Sequence, residues 1–114
     1  MSECLFCKMI NGDIKADVVY EDDHVLAFND INPQAPHHFL IVPKEHVSTI
    51  NDLDERHEKI IGKLFLVAKK VAADMGMEEA GYRTVMNCNA GAGQTVFHIH
   101  LHVLGGRPML WPPG

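Results

Sequence analysis

The chain has 114 residues, 46% of them hydrophobic and 22% charged, and a formal net charge of −5. That length and balance predict one folded domain over residues 1–114 and exclude a disordered chain. No apolar run approaches the roughly 18 residues of a membrane span, the opening MSECLFCKMINGD lacks a basic stretch followed by an apolar signal core, and no basic run offers a surface for nucleic acid; the expected location is the cytoplasm.

CLFCKMI predicts a short helix that ends before the turn signal Asn11-Gly12. Its Cys4 and Cys7 form a C-x-x-C, and with Cys88 the total is odd, which favours reduced or metal-bound thiols over a disulfide framework. ADVVYED and HVLAFND predict a hairpin turning at Glu21-Asp22-Asp23, INPQAP a loop, and HHFLIVP a third strand stopped by Pro43. From Asp52 the apolar period changes to three and four residues, through Ile60, Ile61, Leu64, Phe65, Val67, Ala68, Val71 and Ala72. That is one long helix, capped by Asp52 or Asp54 and ended by Gly76. YRTVMNC and TVFHIHLHVL predict two more strands, joined by the loop NAGAGQ, with Cys88 buried and inert in the first of them. The expected class is α+β: a sheet of about five strands with one long and one short helix on one side.

The last strand puts His98, His100 and His102 at alternate positions. In a regular strand the first and third of these lie roughly 13 Å apart on one face. One imidazole there reads as an occupant of the solvent face. Three in register call for more, and since at most two could share a metal ion, the remaining reading is an anion site with a reactive nitrogen, because imidazole is nucleophilic when neutral and a donor when protonated. Gly91 and Gly93 in the preceding loop can bring backbone N–H groups close to a phosphate, although no G-K-[ST] follows as in a Walker loop.

HIHLHVL fits the alternating signature of the histidine triad superfamily, and GQTVFHIHLHVLGGRPMLWPPG closely resembles the end of its Hint branch, the histidine triad nucleotide-binding proteins. LAFNDINPQAPHHFLIVPKEH resembles the family's other binding segment, so the likeness covers almost the whole chain. The resemblance implies hydrolysis of purine nucleoside phosphoramidates, with no cofactor needed for the chemistry. His100 would attack the α-phosphorus, expel an amine and leave an adenylyl-histidine that water cleaves to AMP. It further implies that Thr95 contacts the departing amine, that His102 donates to the phosphate with help from the N–H groups after Gly93 and from Gln94, and that His38 orients the nucleophile's ring. Asp30 would hold the ribose, Asn87 would neighbour sugar and phosphate, and Leu5, Phe6, Met9, Phe28 and Ile31 would form an apolar slot, which distinguishes purine from pyrimidine more readily than adenine from guanine.

Some superfamily members that carry the cysteine pair bind zinc through it and two histidines, and the matching positions are Cys4, Cys7, His46 and His98. His98 would then be structural, whereas without metal it joins the catalytic set. The resemblance also implies a homodimer across which the sheet continues, with Trp111 of the tail reaching the partner's site to help select the leaving group. A diadenosine polyphosphate hydrolase of the Fhit-like branch and a regulatory nucleotide-binding module stay open as alternatives.

Overall fold

The computed structural model describes residues 3–114. Its elements in chain order are α1 (Leu5–Ile10), β1 (Val18–Glu21), β2 (Val25–Asn29), β3 (His37–Pro43), α2 (Glu58–Asp74), β4 (Tyr82–Val85) and β5 (Leu101–Gly105). The strands form one antiparallel sheet in the order β1-β2-β3-β5-β4. The hairpin turns where expected, because the Asp22 carboxylate accepts the N–H groups of His24 and Val25 at 2.8 and 3.0 Å.

Alternation along the strands divides the core in two. Val25, Ala27, Phe39, Ile41, Leu101 and Val103 face α2, whose Leu64, Val67, Ala68, Val71 and Ala72 recur at helical spacing. Leu26, Phe28, Leu40 and Val42 project to the opposite side and pack on Phe6 of α1. The two helices therefore lie on opposite faces of the sheet, not together on one. The short helix covers the face on which β3 and β5 present histidines.

Two boundaries differ from the sequence reading. α2 begins at Glu58 because Thr49 and Asp54 each close a capping box on a one-turn 3-10 segment, Ile50–Asp52 and Glu55–His57, and the second runs directly into the α-helix. Asp54 thus caps the turn that leads in, Asp52 completes the box of Thr49, and Gly76 ends the helix at φ +80°. The last strand begins only at Leu101, so His98 and His100 precede it on irregular backbone, and half-buried Cys88 lies beyond the end of β4. Among the described residues no helix is long and apolar enough to cross a membrane.

Candidate functional site

The register of β3 on β5 sets two histidines together. His38 pairs with Leu104, and Leu40 with His102. His38 and His102 are therefore diagonal neighbours on the α1-facing side, a separation side chains can span. Their rings meet with His38 Nε2 2.9 Å from His102 Nδ1. The Gln34 N–H donates to His38 Nδ1 at 3.1 Å, which leaves the proton of that neutral ring on Nε2. His102 Nδ1 must then accept, and its own proton stands on Nε2.

His100 is fixed differently. Its Nδ1–H donates to the carbonyl oxygen of His98 at 2.8 Å, so Nε2 carries the lone pair. The ring is 7% exposed, lies edge-on to Phe6 at 5.0 Å, and has its centroid 4.9 Å from that of His102. Burial pulls His100 below the usual histidine range against the opposing bond to His98 and the charge of Asp30, and burial with the neighbouring His100 and His38 pulls His102 down to about 4. Burial lowers His38 as well, opposed by Asp30. A lone pair on His100 and a donor on His102 thus coexist at neutral pH.

Both rings line a cleft of about 210 Å³. Thr95 and Asp30 also line it, and Leu5, Phe6, Met9, Phe28 and Ile31 supply its apolar wall. Sequence reasoning identified all of these but missed Leu40 and Val96, two further apolar wall residues, and Lys15, Ala16, Asp17 and Asn29 along the rim. Leu40 was within reach, since it stands two residues from His38 on the same strand face. Asp17 and Asn29 meet only through the β1–β2 pairing, where Asn29 Nδ2 donates to the Asp17 carboxylate at 3.0 Å.

Other expected site residues stand apart from the cleft wall. His38 bears on His102, while the Nδ1–H of His100 donates to the His98 carbonyl. Gln94 is buried and braces its loop, accepting from Asn89 N and donating to the carbonyls of Ser48 and Val96. Gly93 takes φ +97° beside Asn87, and Trp111 is 83% exposed.

A second cluster joins α1 to the backbone ahead of β5. His98, fully buried, donates from Nε2 to the Pro43 carbonyl at 2.7 Å and turns the Nδ1 lone pair toward the cysteines. That Nδ1 lies 3.4 Å from Cys4 Sγ, 3.6 Å from Cys7 Sγ and 3.2 Å from His46 Nδ1, and Cys7 Sγ lies 3.3 Å from His46 Nδ1. Zinc–sulfur and zinc–nitrogen bonds of ordinary length predict tetrahedral edges of roughly 3.6 Å for N···S and 3.3 Å for N···N. The four residues fit that ion in donor type, number and spacing. Cys4 also caps α1, accepting the Cys7 N–H at 3.3 Å. The three histidines of HIHLH therefore fall in two clusters, His98 in one and His100 with His102 in the other.

Residues 11–109 match the HIT domain family model. The chain is 50% identical over 107 residues to the purine nucleoside phosphoramidase of Escherichia coli K12, covering 94% of this chain and 90% of that one. It is 49% identical over 115 residues to an uncharacterized HIT-like protein of Synechococcus elongatus, covering 100% of each chain. Among solved structures, it is similar to a HIT family hydrolase from Legionella pneumophila at 54% identity and TM-score 0.97, covering 98% of this chain and 100% of that one.

Proposed function

The chain belongs to the HIT domain family, and on that premise we propose that it hydrolyses purine nucleoside phosphoramidates, releasing AMP and an amine from the adenosine compounds. The observation that carries the reading is the bond from His100 Nδ1–H to the His98 carbonyl, which leaves a neutral, partly desolvated Nε2 on the wall of a cleft suited to a nucleotide. In the first displacement His100 Nε2 bonds to the α-phosphorus as the P–N bond breaks and the amine departs, taking a proton from solvent. In the second, water attacks phosphorus, the P–Nε2 bond breaks and AMP leaves. Two easier steps replace one hard one.

The remaining groups divide the substrate between them. His102 donates from Nε2 to the phosphoryl oxygens, where negative charge grows in the transition state. Thr95 meets the leaving amine, with Asn87 and the N–H groups after Gly93 near the phosphate. Asp30 accepts the ribose hydroxyls, and Leu5, Phe6, Met9, Phe28 and Ile31 enclose the flat face of the purine. Gln94 acts through the loop it braces.

Cys4, Cys7, His46 and His98 would hold a structural zinc, which when bound would crosslink α1 to the segment before β5. A site of two thiolates suits a compartment where thiols stay reduced, which supports a cytoplasmic location. The protein works as a homodimer. Support comes from β4, a sheet edge with no partner on its outer side among the described residues, and from the exposure of Trp111, a side chain free to meet a second copy.

Single-turnover reaction with a tryptamine adenosine phosphoramidate tests the chemistry. Intact-protein mass should show an adenylyl adduct on the wild type that decays to AMP. His100→Ala should abolish adduct and turnover while AMP affinity stays within about tenfold, because the change removes the bond-forming atom and few contacts. AMP binding without adduct or turnover in the wild type would favour the regulatory module.

A further inference from the structure

Arg107 lies outside the cleft, yet it grips the loop that fixes the His38 proton. Its Nε and Nη2 both donate to the Gln34 carbonyl, at 3.1 and 3.0 Å, while Nη1 donates to Pro108 O at 3.1 Å. The adjoining residue seats the same contact. Gly106 takes φ +93°, and a Cβ there would come within 2.8 Å of Pro36 Cβ, so the backbone after β5 lies directly on the 34–36 loop. The Gln34 side chain reaches Asn32 O at 3.0 Å. Gln34 is thus anchored through its carbonyl and its side chain, and its N–H is left aimed at His38 Nδ1.

That aim has a chemical consequence two rings away. With the Gln34 N–H in place, His38 carries its proton on Nε2, His102 Nδ1 accepts it, and His102 Nε2–H is a donor. If the N–H swings away, His38 can hold its proton on Nδ1 and present a lone pair to His102. His102 must then carry its own proton on Nδ1, and its Nε2 becomes a lone pair facing the anionic phosphoryl oxygens. A donor that stabilises the transition state is replaced by an acceptor that opposes it. Asp30 Oδ2, 3.4 Å from His38 Nε2, favours the same tautomer from outside hydrogen-bond length.

We propose that Arg107 is a positioning residue for the reaction, holding Gln34 so that His38 and, through it, His102 keep the tautomer in which His102 Nε2–H serves the phosphate. The inference rests on the donor role given to His102 above. It also gives the segment between β5 and the tail a task in the protein's own cleft, separate from any reach of Trp111 toward a partner.

The test pairs ring tautomers with kinetics in the wild type, Arg107→Ala and Arg107→Lys. Long-range proton–nitrogen spectra of histidine-labelled protein at neutral pH should show His38 and His102 protonated on Nε2 in the wild type. In Arg107→Ala both rings should become mixtures, with kcat falling about tenfold and KM and AMP affinity within about twofold. Arg107→Lys, which keeps the charge and one donor, should lie between and supplies the comparison if the alanine variant does not fold. Wild-type tautomers together with wild-type kcat in these variants overturn the proposal, as does a loss of kcat with the tautomers unchanged. A wild type that turns over no phosphoramidate overturns the functional reading instead, and the spectra then still decide whether Arg107 sets the ring protons.

Discussion

His102 has to stay uncharged among imidazoles, and the fold enforces this at a cost in acid. Burial with its neighbours His100 and His38 holds it at about 4, whereas the unfolded chain has the ordinary histidine value of about 6.5. Between those values the unfolded state binds the extra proton, so stability rises with pH through the window, is complete above it, and is lost as pH falls toward 4. Urea unfolding in the presence of a chelator, which keeps metal release from contributing, should show a fall from about pH 6.5 to about pH 4 and a plateau above pH 7. His102→Gln should flatten part of that slope. A wild-type stability unchanged across the window would count against the buried neutral ring. The sequence announced these histidines by their spacing, but it could not tell which ring meets which. His38 and His102 stand 64 positions apart and meet because β3 and β5 pair in one register. His98 and His100 both stand before the strand begins, so the pleat that alternation implies does not apply to them, and the Pro43 carbonyl turns His98 toward the cysteines while the His98 carbonyl holds His100.

At the level of elements, α1 is the part least able to hold itself. Six residues make too short a helix to persist alone in water, and the largest apolar group it buries is Phe6, packed against Phe28 and the rings of His98 and His100. A metal ion in the proposed Cys4–Cys7–His46–His98 site would supply the missing attachment, since Cys4 caps this helix, Cys7 stands on it, and His46 and His98 belong to the body of the protein. Metal affinity becomes folding energy for such an element. A chelator should therefore lower the melting temperature by about 5 °C or more, the equivalent of roughly 1 kcal/mol in a domain of this size. Cys4→Ser should lower it similarly and make it insensitive to chelator. Because Leu5, Phe6 and Met9 line the cleft from the same helix, AMP affinity should weaken more than the single-turnover rate of chemistry. Equal melting curves with and without chelator on metal-loaded protein would sink the zinc assignment. The helix and its cysteine spacing were plain in the sequence. Its place on the far side of the sheet from α2 was not, because both faces of β2 and β3 are apolar and a strand buried on both sides does not reveal which helix covers which face.

For the whole molecule, the open question of packing lies at the β4 edge. The strand pairs with β5 on one side, Tyr82 to Val85 against Gly105 to His102, and among the described residues has no strand on the other. An antiparallel edge strand directs alternate N–H and C=O groups outward, and proteins ordinarily blunt or cover such an edge. The tail does not extend the sheet: Arg83 Nη2 donates to Leu110 O at 3.0 Å, which tethers the tail beside the start of β4, and Leu110 and Trp111 then stand 76% and 83% exposed. A second copy pairing β4 to β4 across a two-fold axis would cover the edge and bring two large apolar side chains near a surface able to bury them. Sedimentation equilibrium at micromolar concentration should give twice the mass of one chain. Hydrogen exchange should find the outward-facing amides of Tyr82–Val85 protected at that concentration and exposed on dilution below the dissociation constant. A single-chain mass at about 100 µM, well above the range in which an obligate interface of standard size dissociates, would leave β4 a bare edge and remove the partner from the Trp111 reading.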